Sequence, residues 1–479
     1  MTEQEILGAS YAYTKASLEG AGAIKGDKGD PGVGVPTGGT TGQVLTKKSN
    51  NNYDTEWGDA SGGGSVDIRT FLHNTGAGFV YGARKAWGIE LGTYFDDTTK
   101  HFYFGAIDTS TNKNSIFDYD FSNPYNPVKS HVIALNDLYT FPSGTPKVMS
   151  IQMYGGYLFA SIRSTSPNVP SDGMDNTSVW GAVLVLNPND LSIVKNETYN
   201  AKCSCVAIHK ATSGTIYMVV NAQMSYMKLY TISSSDATDW TLRDTQYFQN
   251  FKNVEGWTDY NPKIQEQQRG IFYETESGQV LWISGGFGDG VHIWDVTNIE
   301  TERATLYDWS GFDHLDIWRL PNTNKNYYHA FDVAIEYPYV YASLGASSTL
   351  ATEDHNNGTN LRKMGVLVLD ITNLSNIGAT VANIPIEDMN DYDYGGDPRP
   401  TRIVKVGNKL FLNNGGMGVA GFEISNPSTP SYIGTNKCFT VNALQQTEQN
   451  GLIVCEDLAQ IYNSEAWKRN KINRLYAVD

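Results

Sequence analysis

The sequence predicts an all-β fold, a β-propeller of roughly seven blades, preceded by a short N-terminal helix and a collagen-like and β-hairpin neck. Three observations predict it. The 29 Tyr, 18 Phe and 10 Trp stand beside 47 Gly, a mixture that suits many short strands joined by tight turns. Beyond residue 66 the chain repeats itself at roughly 45–60 residues, the period of four-stranded blades with insertions. Each repeat contains a strand that ends in Asp or Asn just before a short turn.

The elements follow in chain order. Residues 1–24 are expected to form an anchoring helix, because Ile6, Leu7, Tyr11, Tyr13 and Leu18 lie roughly on one stripe with Ala and Glu between them. They lack the basic and apolar regions of a signal peptide, so classical secretion is not expected. Residues 25–34 are a collagen-like stub: Gly26, Gly29 and Gly32 keep the every-third spacing, with Pro31 suitably placed, before Gly34 ends the phase. So short a stub makes physical sense only where neighbouring segments already bring three chains together. Residues 35–65 read as a strand from Gln43, an Asn-rich turn at Asn50 to Asn52, a return strand to Trp57, and the flexible "SGGGS" linker.

Residues 66–479 are expected to form the propeller. "VAIEYPYVYASLG" with "GVLVLDITNLSNI" matches "GQVLWISGGFGDGVHIWDVTNIE", and "IVKVGNKLFLNNGGMGVAGFEISNPSTPSYIG" matches "IQMYGGYLFASI" with "GAVLVLNPNDLSIV". Weaker copies start at Ile89 and Cys205, and a last blade combines "FTVNALQQTEQNGLIVCED" with the terminal "RLYAVD". A strand from Val66 to Phe71 is expected to pair with that last blade and close the ring, which removes exposed sheet edges.

Two resemblances follow from these residues. The units "GVLVLDITNLSNI" and "VAGFEISNPSTPSYIG" resemble the LVIVD-type propeller repeat, in which a strand ending in Asp leads into an Asn-Pro turn; Asn-Leu and Asn-Ile replace Asn-Pro in two copies. The run "GDKGDPG", "PTGGTTGQVLTKKS" and "YDTEW", residues 26–59, closely resembles a module of bacteriophage tail-fibre and other virion adhesion or structural proteins. That resemblance implies a protein on the exterior of a phage particle, a homotrimer with its N-terminus attached to other virion proteins and its C-terminal domain projecting. Gly26, Gly29, Pro31, Gly32 and Trp57 would then belong to the trimer neck.

Where binding should occur follows from blade topology. With strands a to d running up and down, the b-to-c loops and the connections between blades leave one face. All five long segments fall in those classes: Arg163 to Trp180, Gln249 to Lys263, Asp308 to His329, Gly345 to Met364 and Ile386 to Pro400. Long loops on a rigid scaffold are where ligands usually bind. They carry Trp257, Tyr260, Trp309, Phe312, His314, Trp318, Tyr327, Tyr328, Tyr392 and Tyr394. Aromatic rings beside Asp, Asn and His suit a host-surface glycan or protein receptor. A structural or decoration protein that binds other phage proteins, and a polysaccharide depolymerase, are the alternatives.

Chemistry narrows the choice less. The net charge of −16 argues against nucleic acid, which needs clustered Lys and Arg, and no stretch approaches the ~20 apolar residues of a membrane span. Cys203, Cys205, Cys438 and Cys455 form no CxxC pair and read as buried apolar side chains. Asp391, Asp393 and Asp397 offer oxygen ligands at near-alternate spacing but lack the EF-hand pattern, so a solvated acidic loop is the simpler reading. "SSSDATDWT" (Ser233 to Thr241) is similar to the sialidase Asp-box but is one residue short and lacks its glycine. Glu266, Arg269, Asp313, His314, Asp316 and Arg319 could serve a glycosidase, yet no spacing singles out a carboxylate pair. No enzymatic activity and no cofactor are expected.

Overall fold

The computed structural model describes residues 43–47, 55–59, 72–84, 92–108, 110–122, 127–165, 178–222, 226–247, 267–286, 290–309, 328–346, 365–385, 402–413, 419–436, 440–446, 451–457 and 470–478. The chain divides into two units, Met1–Gly64 and Ser65–Asp479. In the first, β1 (Gln43–Lys47) and β2 (Thr55–Asp59) form an antiparallel hairpin with Leu45 opposite Trp57. The expected helix at 1–24 and the stub with Gly26, Gly29, Pro31 and Gly32 lie outside the described residues.

The second unit begins with β3 (Leu72–Arg84), then β4 (Thr93–Asp96), β5 (His101–Asp108), β6 (Lys113–Asp120) and β7 (Val128–Ala134), followed by a 3₁₀ turn at Leu135–Asp137. Five four-stranded antiparallel sheets follow. They comprise β8 (Pro146–Tyr154), β9 (Tyr157–Ser164), β10 (Gly181–Leu186) and β11 (Ile193–Tyr199); β12 (Cys203–Lys210), β13 (Ile216–Ala222), β14 (Tyr226–Ile232) and β15 (Trp240–Tyr247); β16 (Gln267–Glu274), β17 (Val280–Gly286), β18 (Gly290–Asp295) and β19 (Thr305–Trp309); β20 (Tyr328–Glu336), β21 (Tyr339–Ala346), β22 (Gly365–Asp370) and β23 (Gly378–Asn383); and β24 (Ile403–Val406), β25 (Lys409–Asn413), β26 (Val419–Glu423) and β27 (Ser431–Asn436). The chain ends with β28 (Thr440–Gln446), β29 (Gly451–Asp457) and β30 (Asn470–Val478).

The first strand of each group packs on the first strand of the next, from β4 to β8, β12, β16, β20, β24 and β28, and β28 returns to β4. The fold is therefore an all-β propeller. Closure comes from β3, which pairs antiparallel with β30 and, through Ala83 and Arg84, with β5. The closing strand thus starts at Leu72, just after the Val66–Phe71 segment expected from the sequence. Its "LHNTGAGFVYGAR" run hides the strand pattern, because Gly and polar residues interrupt the alternation.

Burial explains the sequence of each strand. β10 reads "GAVLVL" and is buried at every residue, whereas its outer neighbour β11 is largely exposed. Middle strands are covered on both faces by adjacent sheets, so they carry near-continuous apolar runs, with Trp282 and Trp294 among the largest fully buried side chains. The sheets approach closely. A Cβ on Gly285 would lie 2.5 Å from the Ala330 carbonyl oxygen of the next sheet, so only glycine fits.

Three repeated devices join and close the sheets. First, polar side chains stand in for backbone pairing between β8 and β12. Ser150 Oγ accepts from Val206 N–H at 2.8 Å and donates to Val206 O at 3.3 Å; Gln152 Oε1 accepts from Ile208 N–H at 2.8 Å and its Nε2 donates to Ile208 O at 2.7 Å. Second, buried tyrosines latch one sheet to the turn of the next: Tyr103 Oη donates to Pro188 O (3.3 Å), Tyr217 to Thr297 O (2.8 Å) and Tyr341 to Pro427 O (2.9 Å). Strand register places Phe159, Ile283 and Phe411 at the same position in the intervening sheets, so hydroxyl-bearing and apolar residues alternate around the ring.

Third, in six of the strand groups the residue at or just after the end of the third strand folds its side chain onto the turn two residues on, or accepts from it, in an Asx-type closure. Asp120 accepts from Ser122 N–H, Asn187 from Asn189 N–H, Ser233 from Ser235 N–H, Asp295 and Asp370 from the N–H and hydroxyl of Thr297 and Thr372, and Glu423 from the Ser425 hydroxyl. This is the physical content of the repeating Asp or Asn. The "SSSDATDWT" run is the corresponding β14–β15 turn, where Asp236 closes a further loop onto Thr238.

Replacing Gln152 by Ala is expected to leave the Ile208 N–H and C=O without their partners and to destabilise the fold by about 2 kcal/mol, read from denaturant unfolding. The closures also predict acid sensitivity. Hydrogen bonds from the side chain and backbone of the second residue hold the Asp120, Asp236 and Asp370 carboxyls below the usual value. Their stabilisation is complete above the ordinary Asp range near ~3.9 and is lost as pH falls below it. Melting temperature should drop on that acid side, and the triple Asp→Asn variant, which keeps the turn geometry without the charge, should drop less steeply.

Candidate functional site

Five long segments of the chain, within 166–177, 248–266, 310–327, 347–364 and 386–401, connect β9 to β10, β15 to β16, β19 to β20, β21 to β22 and β23 to β24. The antiparallel registers put all these strand ends at one edge of their sheets. The third-to-fourth strand turns lie at the other. Most of the aromatic residues expected to bind, Trp257, Tyr260, Phe312, His314, Trp318, Tyr327, Tyr392 and Tyr394, lie outside the described residues, as do Asp391, Asp393 and Asp397. Trp309 is the last residue of β19, opposite Val291, and Tyr328 opens β20.

What the structure does describe at this edge is a charged brace on the inner strands. β8, β12, β16, β20 and β28 each carry an irregularity in register near their first residues. A bulge bends the strand and re-aims a side chain. In β8 and β20 a serine across the bulge satisfies the freed backbone: Ser161 Oγ accepts from Ser150 N–H at 3.0 Å, and Ser343 Oγ from Asp332 N–H at 3.1 Å. Asn413 performs the same task next to β24, accepting from Arg402 N–H at 2.6 Å.

Three charged side chains meet there. Arg402 Nη1 donates to Asp332 Oδ2 at 2.9 Å, the same oxygen accepts from Ile403 N–H at 3.3 Å, and Arg269 Nε stands 3.8 Å from Asp332 Oδ1. Arg269 Nη1 also donates to Met149 O, 3.4 Å away on β8. Side chains of Asp332 and Arg402 are only 6% exposed. Burial lowers the affinity of the Arg269 guanidinium for its proton, the charge of Arg402 adds to this, and Asp332 opposes it. Burial also raises the thiol of neighbouring Cys205. Cys203 and Cys205 are free and buried, as the sequence suggested. The brace ties β16, β20 and β24 together and to β8, directly at the edge from which the long connections leave.

Arg269 was visible in the sequence as a candidate clamp, but Asp332 and Arg402 were not. Their signal is a lone charge inside or beside an apolar strand, in "AFDVAIE" and "TRIVKV". A second charged group sits at the opposite edge of the first sheet. Asp118, fully buried, lies between His101 Nδ1 at 2.6 Å and His131 Nδ1 at 2.9 Å. Among the described residues no cluster of three His, Cys, Asp or Glu is placed to hold a metal ion.

No family model matches the chain, and no curated protein matches it. Solved structures to which it is similar include the β-propeller domain of Cps50 (Swd1) from Myceliophteria thermophila, 10% identical, covering 83% of this chain and 99% of that one with a TM-score of 0.45. The computationally designed Ika8 protein is 10% identical, with 84% and 98% covered and a TM-score of 0.39.

Removing the shared carboxylate tests the brace. Asp332→Ala leaves two buried guanidiniums without it and should cost about 3–5 kcal/mol in unfolding free energy; a loss below ~1 kcal/mol would mean that the brace is not what holds these strands.

Proposed function

We propose that the chain is a bacteriophage adhesion protein, a tail fibre or spike on the outside of the particle. Its N-terminal segment attaches it to other virion proteins as a homotrimer, and its propeller binds a host-surface glycan or protein through the edge that carries the long connections. The observation that supports this most is the asymmetry between the two edges. On one, short turns are closed by their own side chains; from the other leave all five long segments, three of which lead into β16, β20 and β24, the strands that the Arg269–Asp332–Arg402 brace joins. A rigid frame with long, aromatic-rich connections on one side is the arrangement that recognition needs. The N-terminal part of the reading rests on the resemblance of residues 26–59 to phage fibre modules.

Light scattering of the full chain and of a shortened chain that begins at Val66 should give a trimer and a monomer. Host-cell or glycan binding by the full chain should fall at least tenfold on replacing Trp257, Trp309 and Tyr392 together by Ala. Monomers in both cases, with binding unchanged by the substitutions, would rule this reading out and favour a decoration protein docked singly on the particle.

A further inference from the structure

The opposite edge of the ring carries a feature that receptor binding through the long connections does not use. A cleft of about 650 Å³ opens at the end of the β12–β15 sheet. Its walls are the β12–β13 turn with Lys210, Ser213 and Thr215, the β14–β15 turn with Ser233, Ser234 and Asp239, the start of β15 with Thr241 and Arg243, and Glu300 from the next sheet. The volume lies within the ~300–1,000 Å³ of small-molecule sites, but those are mostly apolar. Here only Ile216 and Ile232 are apolar, and both are buried as the floor.

The polar groups divide into those already engaged and those still open to a ligand. Arg243 Nε donates to Thr231 Oγ1 at 2.8 Å, and its Nη2 stands 3.5 Å from Glu300 Oε1, so the guanidinium is held in place. Ser233 Oγ is within 3.0 Å of Ser235 Oγ, and Ser213 Oγ accepts from Thr215 N–H at 3.4 Å while its own proton stays free to donate. The exposed Lys210 ammonium has no hydrogen-bond or ion-pair partner among the described residues, on a chain whose net charge is −16. Gly214 at the rim, with φ of +93°, has nothing within 4 Å of the place a Cβ would take, which leaves that wall open. Serine and threonine hydroxyls both donate and accept, as sugar hydroxyls do. Glu300 offsets Arg243 and Asp239 is a second carboxylate in the wall, so the group that attracts a negative charge is the Lys210 ammonium, unpaired among the described residues.

We propose that this cleft is a second binding site, for a small saccharide bearing a carboxylate: Lys210 takes the carboxylate and the hydroxyls of Ser213, Ser234 and Thr241 take the ring hydroxyls. It lies on the edge away from the long connections, so it binds independently of the receptor edge.

Calorimetric titration of the full chain with a glucuronate-containing disaccharide, beside neutral cellobiose and inorganic phosphate, tests it. The expected result is saturable binding of the acidic disaccharide that weakens at least tenfold in Lys210→Ala, is retained in Lys210→Arg and fades at high salt. Thr241→Val should weaken it several-fold, and the triple Trp257, Trp309 and Tyr392 variant should leave it unchanged. Equal affinity for cellobiose, tighter binding of phosphate alone, no heat with any of the three, or indifference to Lys210→Ala would each overturn the proposal while leaving the receptor edge untouched.

Discussion

Sheets in a ring cannot share backbone hydrogen bonds across their faces, and this constraint shapes most of what the chain does. Apolar burial supplies the bulk of the contact, but it is not directional and cannot fix how one sheet sits on the next. The directional part comes from a few side chains. Ser150 and Gln152 each bond both the N–H and the C=O of a β12 residue, as a neighbouring strand would. Asp332 takes the same role between β20 and the start of β24, accepting from Ile403 N–H, and adds two arginines to the junction.

Seen this way, the bulges near the starts of the inner strands are part of the joining rather than defects in pairing. Each bulge costs a ladder bond and frees a backbone group, and in β8 and β20 a Ser across it restores the bond, as Asn413 does beside β24. In exchange a polar or charged residue is turned toward the neighbouring sheets. The cost of burying Arg402 and Asp332 is offset only because each is the other's partner. The same brace that fixes the strands also sets the positions from which the long connections start, so stability of the ring and geometry of that edge are one problem.

The sequence revealed the periodic part of this architecture well. Strands ending in Asp or Asn before a turn are local, and their closure onto the second following residue needs only neighbours in the chain, which is why the repeat was legible and the third-to-fourth strand turns fell where expected. The closing strand was displaced because Gly76, Gly78 and Gly82 blur its alternation, while pairing with β30 is a contact across almost the whole chain. The brace was hidden for a related reason. Nothing adjacent to Asp332 announces that Arg269 and Arg402, roughly seventy residues away on either side, meet it. Most of the aromatic residues assigned to binding lie in the long connections, outside the described residues.

The alternation of Tyr103, Phe159, Tyr217, Ile283, Tyr341 and Phe411 gives the ring a grain of two sheets. A tyrosine sheet always hands its hydroxyl to the turn of the sheet that follows, and that follower carries no hydroxyl to pass on. Lineages that gain or lose sheets can therefore do so cheaply in latched pairs. Dropping a follower alone would orphan a buried phenol, whereas duplicating a pair would copy both the donor and the carbonyl it needs. The sheet group closed by the two ends of the unit stands outside this pairing, and it is where an odd member can be accommodated.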